Sequence, residues 1–125
     1  MKKHRSTVVI TYPFNPPLMK KILAPHAKII LARTPRALDQ ALPQADALIT
    51  LVSNPVTEAL LDQAPRLKVI GNFAVGIDNI DLPACKKHKV AVVNTPDVLT
   101  RSTAELTLAL LLAAARRFPE GEALC

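Results

Sequence analysis

The stretch LKVIGNFAVGIDNIDLPAC, residues 67–85, decides how the chain is to be folded. It opens on an apolar run, 67–72, of the kind that suits a strand covered on both faces. It closes on Asp81-Leu82-Pro83, an acidic cap and a proline that a helix accepts in its first turn. Between them stand Gly71 and Gly76, two of only three glycines in 125 residues. Glycine is needed where the backbone takes a positive φ, or where something must approach it closely. The spacing alone leaves both readings open: a bend after a strand, or room for a ligand.

The same strand, loop and helix recur on either side. The β-branched run 7–11 reads as a strand, and Asn15-Pro16-Pro17 opens a helix whose body is 18–23. A second strand over 27–31 precedes Thr34-Pro35, a cap and first-turn proline that start a helix to about Leu42. A third strand covers 45–52, and a short helix runs from Thr57-Glu58 to about Ala64. The run from Leu67 is the fourth strand. The helix from Asp81 carries Cys85 and ends near His88, ahead of a fifth strand over 90–93. The expected fold class is α/β: a flavodoxin-like, doubly wound parallel five-stranded sheet of order 2-1-3-4-5, plus a C-terminal apolar helix. Such sheets bind ligands outside the carboxyl ends of their strands. Three loops should meet there: Val52-Ser53-Asn54, 71–76, and Asn94-Thr95-Pro96.

Half the residues are apolar, which excludes a disordered chain. Tyr12, Phe14, Phe73 and Phe118 are the whole aromatic set, so the core is aliphatic and no base-stacking platform for nucleic acid is available. The net charge of +6 gathers at Lys2, Lys3 and Arg5, at Lys86, Lys87 and Lys89, and at Arg116 and Arg117. Without a nucleic-acid motif, these clusters read as solvated helix ends and a basic terminus, with a weak bias toward small anions. Cys85 and Cys125 lack ligand spacing, so neither a metal site nor a disulfide is expected, and a cytoplasmic location fits. The apolar run after Met1-Lys2-Lys3 is too short for a signal peptide, and 108–115 is too short to span a membrane.

Ser102-Thr103-Ala104-Glu105 has the form of a capping box and predicts a helix to about Phe118, stopped by Pro119 and Gly121. From Ala104 to Ala115 only Glu105 and Thr107 are polar. A helix on the outside of a soluble monomer shows a polar face; this one calls for a partner, either a further domain or a second subunit.

With these segments placed, the chain resembles the D-isomer-specific 2-hydroxyacid dehydrogenases. The resemblance is carried by NFAVGIDNID at 72–81, VVNTPDVLT at 92–100 and TAEL at 103–106, in the family's order and spacing. Within the family it looks most like the glyoxylate and hydroxypyruvate reductases. That resemblance implies an NAD(P)-dependent oxidoreductase that moves a hydride between the nicotinamide and a small 2-keto or 2-hydroxy acid. It also implies that residues 1–99 are an incomplete substrate-binding domain. Residues 100–125 would then be the hinge and first helix of an otherwise missing nucleotide-binding domain, with helix 103–118 joining a homodimer. Val75 and Gly76 match the loop whose backbone N–H groups hold the substrate carboxylate, an anion-binding concavity of successive amides. Leu51, Val52 and Ser53 match a loop lining the substrate pocket, and Thr103 a position near the nicotinamide. Asp78 and Asp81 read from their own positions as a loop brace and a helix cap rather than an acid–base pair.

The family's catalytic Arg, Glu and His, and its Gly-x-Gly-x-x-Gly turn, lie beyond the matched part. No Gly-x-Gly occurs here, and His4, His26, His88, Arg101, Arg116 and Arg117 match no catalytic position. No catalytic residue is therefore expected in this truncated form, and it should be inactive alone and bind neither NAD nor NADP tightly. A receiver domain of two-component signalling shares the architecture, but the loops after strands one and three lack the acidic residues it needs. The remaining alternative is a non-enzymatic dimerisation or corepressor-like interaction module.

Overall fold

A computed structural model describes residues 5–12 and 16–122. The expectations for Lys2, Lys3, His4, Phe14, Asn15 and Cys125 fall outside the described residues. The chain divides into two compact units, Met1–Thr95 and Pro96–Cys125.

In the first unit β1 (Ser6–Ile10), β2 (Ala27–Leu31), β3 (Ala47–Thr50), β4 (Val69–Asn72) and β5 (Ala91–Val93) form one sheet of order β2-β1-β3-β4-β5, with every pairing parallel. This is the expected α/β topology. Helices α1 (Pro16–Leu23), α2 (Pro35–Ala41), α3 (Glu58–Asp62) and α4 (Leu82–Lys87) connect the strands, and a 3-10 turn at Leu42–Gln44 follows α2. The caps are those that the sequence supplies. Thr34 accepts from Ala37 N–H, Thr57 from Leu60 N–H and Asp81 from Ala84 N–H.

The helices divide unequally between the two faces. One row of the sheet, Val9, Leu48, Ile70 and Val92, packs under α2, α3 and α4 with Leu42, Leu61 and Cys85 in the main core. The other row, including Ile10, Ala47 and Ile49, meets only Met19 and Leu23 of α1 among the described residues. Crossovers between parallel strands keep one hand. Stepping from β1 to β2 therefore puts α1 on one side, and stepping back through β3, β4 and β5 puts the next three helices on the other. The strands were expected to be covered on both faces. On the α1 side that holds near β1 but not at Val93, which is 55% exposed.

The second unit is α5 (Thr100–Ala115) followed by α6 (Phe118–Glu122). Two expectations are corrected here. Ser102 is not a cap: the helix has begun two residues earlier, and the Ser102 hydroxyl donates back to Leu99 C=O at 3.1 Å. Glu105 turns to Arg101 one helical turn away, at 2.8 Å, because an opposite charge at that spacing is the stronger partner. The helix also stops before Phe118: Arg117 takes φ 52, and Pro119 falls inside the new helix α6, where a first-turn proline is accepted. No residue of α5 is buried, and Leu108, Leu111 and Leu112 are each more than 60% exposed.

Candidate functional site

Three loops meet at the carboxyl edge of the sheet in the first unit. The loop after β3 turns tightly, with Asn54 N–H donating to Leu51 C=O at 2.9 Å. It is tied to the loop after β4 by Val56 N–H to Asn79 C=O at 2.8 Å and Asp81 N–H to Val56 C=O at 2.9 Å. Asn79 reinforces the tie: its side-chain NH2 donates to Asn54 C=O at 2.9 Å and to Leu51 C=O at 3.1 Å. The loop after β5 reaches across with Thr95 N–H and the Asn94 side chain.

The segment 74–77 is the centre of this arrangement, and its two sides differ. Every carbonyl along it is taken. Ala74 C=O accepts from Thr95 N–H at 3.0 Å, and Val75 C=O from Asn94 Nδ2 at 2.8 Å. Gly76 C=O accepts from Asn72 Nδ2 at 2.9 Å, and Ile77 C=O from Ile80 N–H at 3.0 Å. The amides of Val75, Gly76 and Ile77 donate to no group among the described residues. Buried backbone groups are almost always paired, whereas these three amides belong to exposed or part-exposed residues and are left to solvent or to a ligand. Val75 is 46% exposed, and Gly76 and Ile77 are half-buried.

Neither glycine in this region has a positive φ. Gly71 does not bend the chain at all. It lies inside β4, in register with Ile49 and Val93, and a Cβ there would meet their side chains only at ordinary contact distances of 3.8 and 3.9 Å. Its missing side chain borders a recess of about 150 Å³ between Phe73, Val93 and Thr95. Gly76 is tighter: a Cβ would stand 3.1 Å from Asp78 Oδ2. Of the two uses of glycine, close approach is the one that fits Gly76. Asp78 does not brace the loop as expected. Its exposed carboxylate makes no hydrogen bond among the described residues, and the bracing falls to Asn72, Asn79 and Asn94. The signal for this was available in the three asparagines bordering the loops. A short side chain that both donates and accepts is suited to pinning loop backbone.

The other expected residues are placed as follows. Leu51 is half-buried at the base of its turn, while Val52 and Ser53 are exposed at its tip. Thr103 belongs to the second unit, where its N–H donates to Leu99 C=O at 2.9 Å and its C=O accepts from Thr107. Cys85 lies on the buried face of α4, where burial, with the Asp81 carboxylate adding to it, pushes its thiol up from the ordinary value. Among the described residues no cluster of His, Cys, Asp and Glu could hold a metal ion.

The model of the D-isomer specific 2-hydroxyacid dehydrogenase catalytic domain matches residues 8–121. The chain belongs to this family. It is 52% identical over 80 residues to the glyoxylate reductase of Thermococcus litoralis, covering 64% of this chain and 24% of that protein. It is 38% identical over 109 residues to the glyoxylate reductase of Korarchaeum cryptofilum, covering 87% of this chain and 30% of that one. Among solved structures it is similar to the D-lactate dehydrogenase of Aquifex aeolicus complexed with NAD and lactic acid. There the TM-score is 0.81 at 28% identity, covering 94% of this chain and 36% of that one. This dehydrogenase-family chain thus spans about a quarter to a third of the length of such relatives.

The residues present do not fit a dinucleotide. Pyrophosphate binding uses free amides at a helix amino end, with glycine allowing close approach. The amino ends of α2, α3 and α4 are already capped by Thr34, Thr57 and Asp81, and the Asp81 carboxylate would repel a phosphate. A larger concavity of about 830 Å³ lies at the opposite, amino edge of the sheet, beside Asp46, Arg66 and Lys68. Its polar groups serve the fold: Asp46 accepts from Thr7 N–H at 2.8 Å and from Arg66 at 3.0 and 3.1 Å.

Proposed function

We propose that this chain supplies the substrate-carboxylate site of an NAD(P)-dependent D-2-hydroxyacid dehydrogenase of the glyoxylate or hydroxypyruvate reductase type. Residues 1–99 act as the substrate-binding part, and 100–125 as the crossing into a nucleotide-binding part. One observation carries the reading: the turn 74–77 has every carbonyl bonded and the Val75, Gly76 and Ile77 amides left without a partner among the described residues. A carboxylate accepts strongly from backbone N–H groups, and a fixed turn meets it with no reorganisation. The names of the relatives support the choice of a small 2-keto acid. Leu51, Val52 and Ser53, tied to that turn through Asn79, line the side of the site.

The hydride donor, NADH or NADPH, and the groups that polarise the carbonyl and deliver the proton lie outside these 125 residues. The work of this chain is to hold and orient the acid. With NADH and glyoxylate the chain alone is therefore expected to oxidise no cofactor. Titrating 15N-labelled chain with oxamate, an unreactive 2-keto acid analogue, should shift the Val75 and Gly76 amide signals. Glycolamide, which has no carboxylate, should not. Oxidation of NADH above background, or equal shifts with both compounds, counts against the assignment.

A second reading rests on α5, whose leucines, Leu106 to Leu112, stand exposed over about two turns. The chain would then associate through that helix, as a homodimer or an interaction module. Either role for α5 is compatible with an acid site in the first unit.

A further inference from the structure

The turn 74–77 contains a geometric rule about its own amides. A peptide group is planar and trans, so the N–H of one residue points opposite to the C=O of the residue before it. No peptide bond in the chain is cis. Whatever fixes the carbonyl of Ala74 therefore aims the amide of Val75. Whatever fixes Val75 C=O aims the amide of Gly76, and whatever fixes Gly76 C=O aims the amide of Ile77. The three holders are, in order, Thr95 N–H at 3.0 Å, Asn94 Nδ2 at 2.8 Å and Asn72 Nδ2 at 2.9 Å.

We propose that Asn94 is a positioning residue for the acid site: it aims the Gly76 amide by gripping the other end of the same peptide plane. Asn72 does the same for Ile77. The inference rests on the carboxylate reading above and adds to it the residues that set the direction of the donors. The two asparagines are built differently for the task. Asn72 is 1% exposed, and its amide is shared with Asn79 at 2.9 Å, so it belongs to the frame that joins the β3 and β4 loops. Asn94 is exposed, and the bond to Val75 C=O is the one its side chain makes among the described residues. Its removal should leave the core untouched and free one peptide plane to rotate. Asparagine suits the position because the holder must be a donor of fixed, short reach. Aspartate would set an acceptor against a carbonyl, and a lysine charge would compete with the turn for the acid.

The test uses the 125-residue chain, 15N-labelled, with oxamate as the probe. Asn94→Ala should bind oxamate about tenfold more weakly, the scale expected when one charge-assisted bond is lost from alignment. Its melting temperature should stay within a degree or so, since an exposed substitution disturbs little. The oxamate-induced shift should shrink most at Gly76 and least at Val75, whose plane is held by the backbone of Thr95. Asn94→Gln, which keeps the donor on a longer arm, should restore part of the affinity. Asn72→Ala should move the loss to Ile77. Leu61→Val, a core change on the far side of the sheet, should lower the melting temperature and leave oxamate affinity unchanged.

Equal affinity of Asn94→Ala and wild type, or a loss spread evenly over Val75, Gly76 and Ile77, overturns the proposal. Should Asn72→Ala not fold, the Asn94 series still decides it. A wild-type chain that shows no response to oxamate sinks the carboxylate reading itself. That result is distinguishable, because it appears before any variant is compared.

Discussion

The two edges of the sheet treat their backbone amides in opposite ways. At the amino edge, Thr7 N–H is met by a carboxylate of the protein's own, Asp46, which Arg66 holds in turn. At the carboxyl edge, the amides of Val75 and Gly76 point away from carbonyls that are all engaged, and no side chain comes to meet them among the described residues. The first edge shows how this chain finishes a strand end when stability is the only demand. The second departs from that pattern at a turn held just as firmly. In a part-exposed turn such donors are left to water, and the proposed acid site would use the same donors.

The contrast breaks most visibly at Asp46. Asp46→Ala leaves a buried amide without its acceptor and removes the ion pair with Arg66, and should cost about 2 kcal/mol of stability. Arg66→Ala should cost less than about 1 kcal/mol, because its side chain is 42% exposed and the pair is screened on that side. Urea unfolding of the two variants checks both, and equal losses would mean that the carboxylate serves Arg66 rather than the strand end. The carboxyl edge should behave in the reverse sense. Gly76→Val brings a side chain into a space where even a Cβ lies 3.1 Å from Asp78 Oδ2, an exposed group that can swing aside. Its stability should fall by no more than roughly 1 kcal/mol, the range of a surface change. Its amide response to oxamate should fall by about tenfold or more, since bulk would stand where the proposed site receives the acid. A Gly76→Val chain that keeps its oxamate response would remove the reason for glycine at that position.

Much of the frame was legible because it follows from local rules. Thr34, Thr57 and Asp81 cap where their position before proline or a first-turn acid says they should, and the apolar runs lie in the sheet in the expected order. The resemblance of 72–81 and 92–100 to one dehydrogenase family pointed to the turn at Val75 and Gly76, whose amides make no hydrogen bond among the described residues. What the sequence hid was tertiary. Ser102 fits a capping box equally well one turn into a helix, and only the Leu99 carbonyl decides between the two. Gly71 looks like a bend until the register with Ile49 and Val93 places it inside a strand. Asp78 carries the charge that attracts attention, yet the loop is held by uncharged Asn72, Asn79 and Asn94, whose partners lie up to 28 residues away.

The smallest effect lies between the two edges, at Cys85 on the buried face of α4. Its thiol is pushed up by burial and, secondarily, by Asp81, the cap that closes the loop after β4. A raised value in the folded state means that folding favours the neutral thiol. The corresponding stability is complete below the unfolded-state value and is lost as pH rises through the folded one. Cys85→Ala should therefore flatten the alkaline end of the stability profile. In the wild-type chain the Cys85 thiol should resist iodoacetamide until the chain unfolds. Rapid alkylation in the folded state would mean that α4 opens readily. The cap at Asp81 would then be too loose to steady the turn at the carboxyl edge.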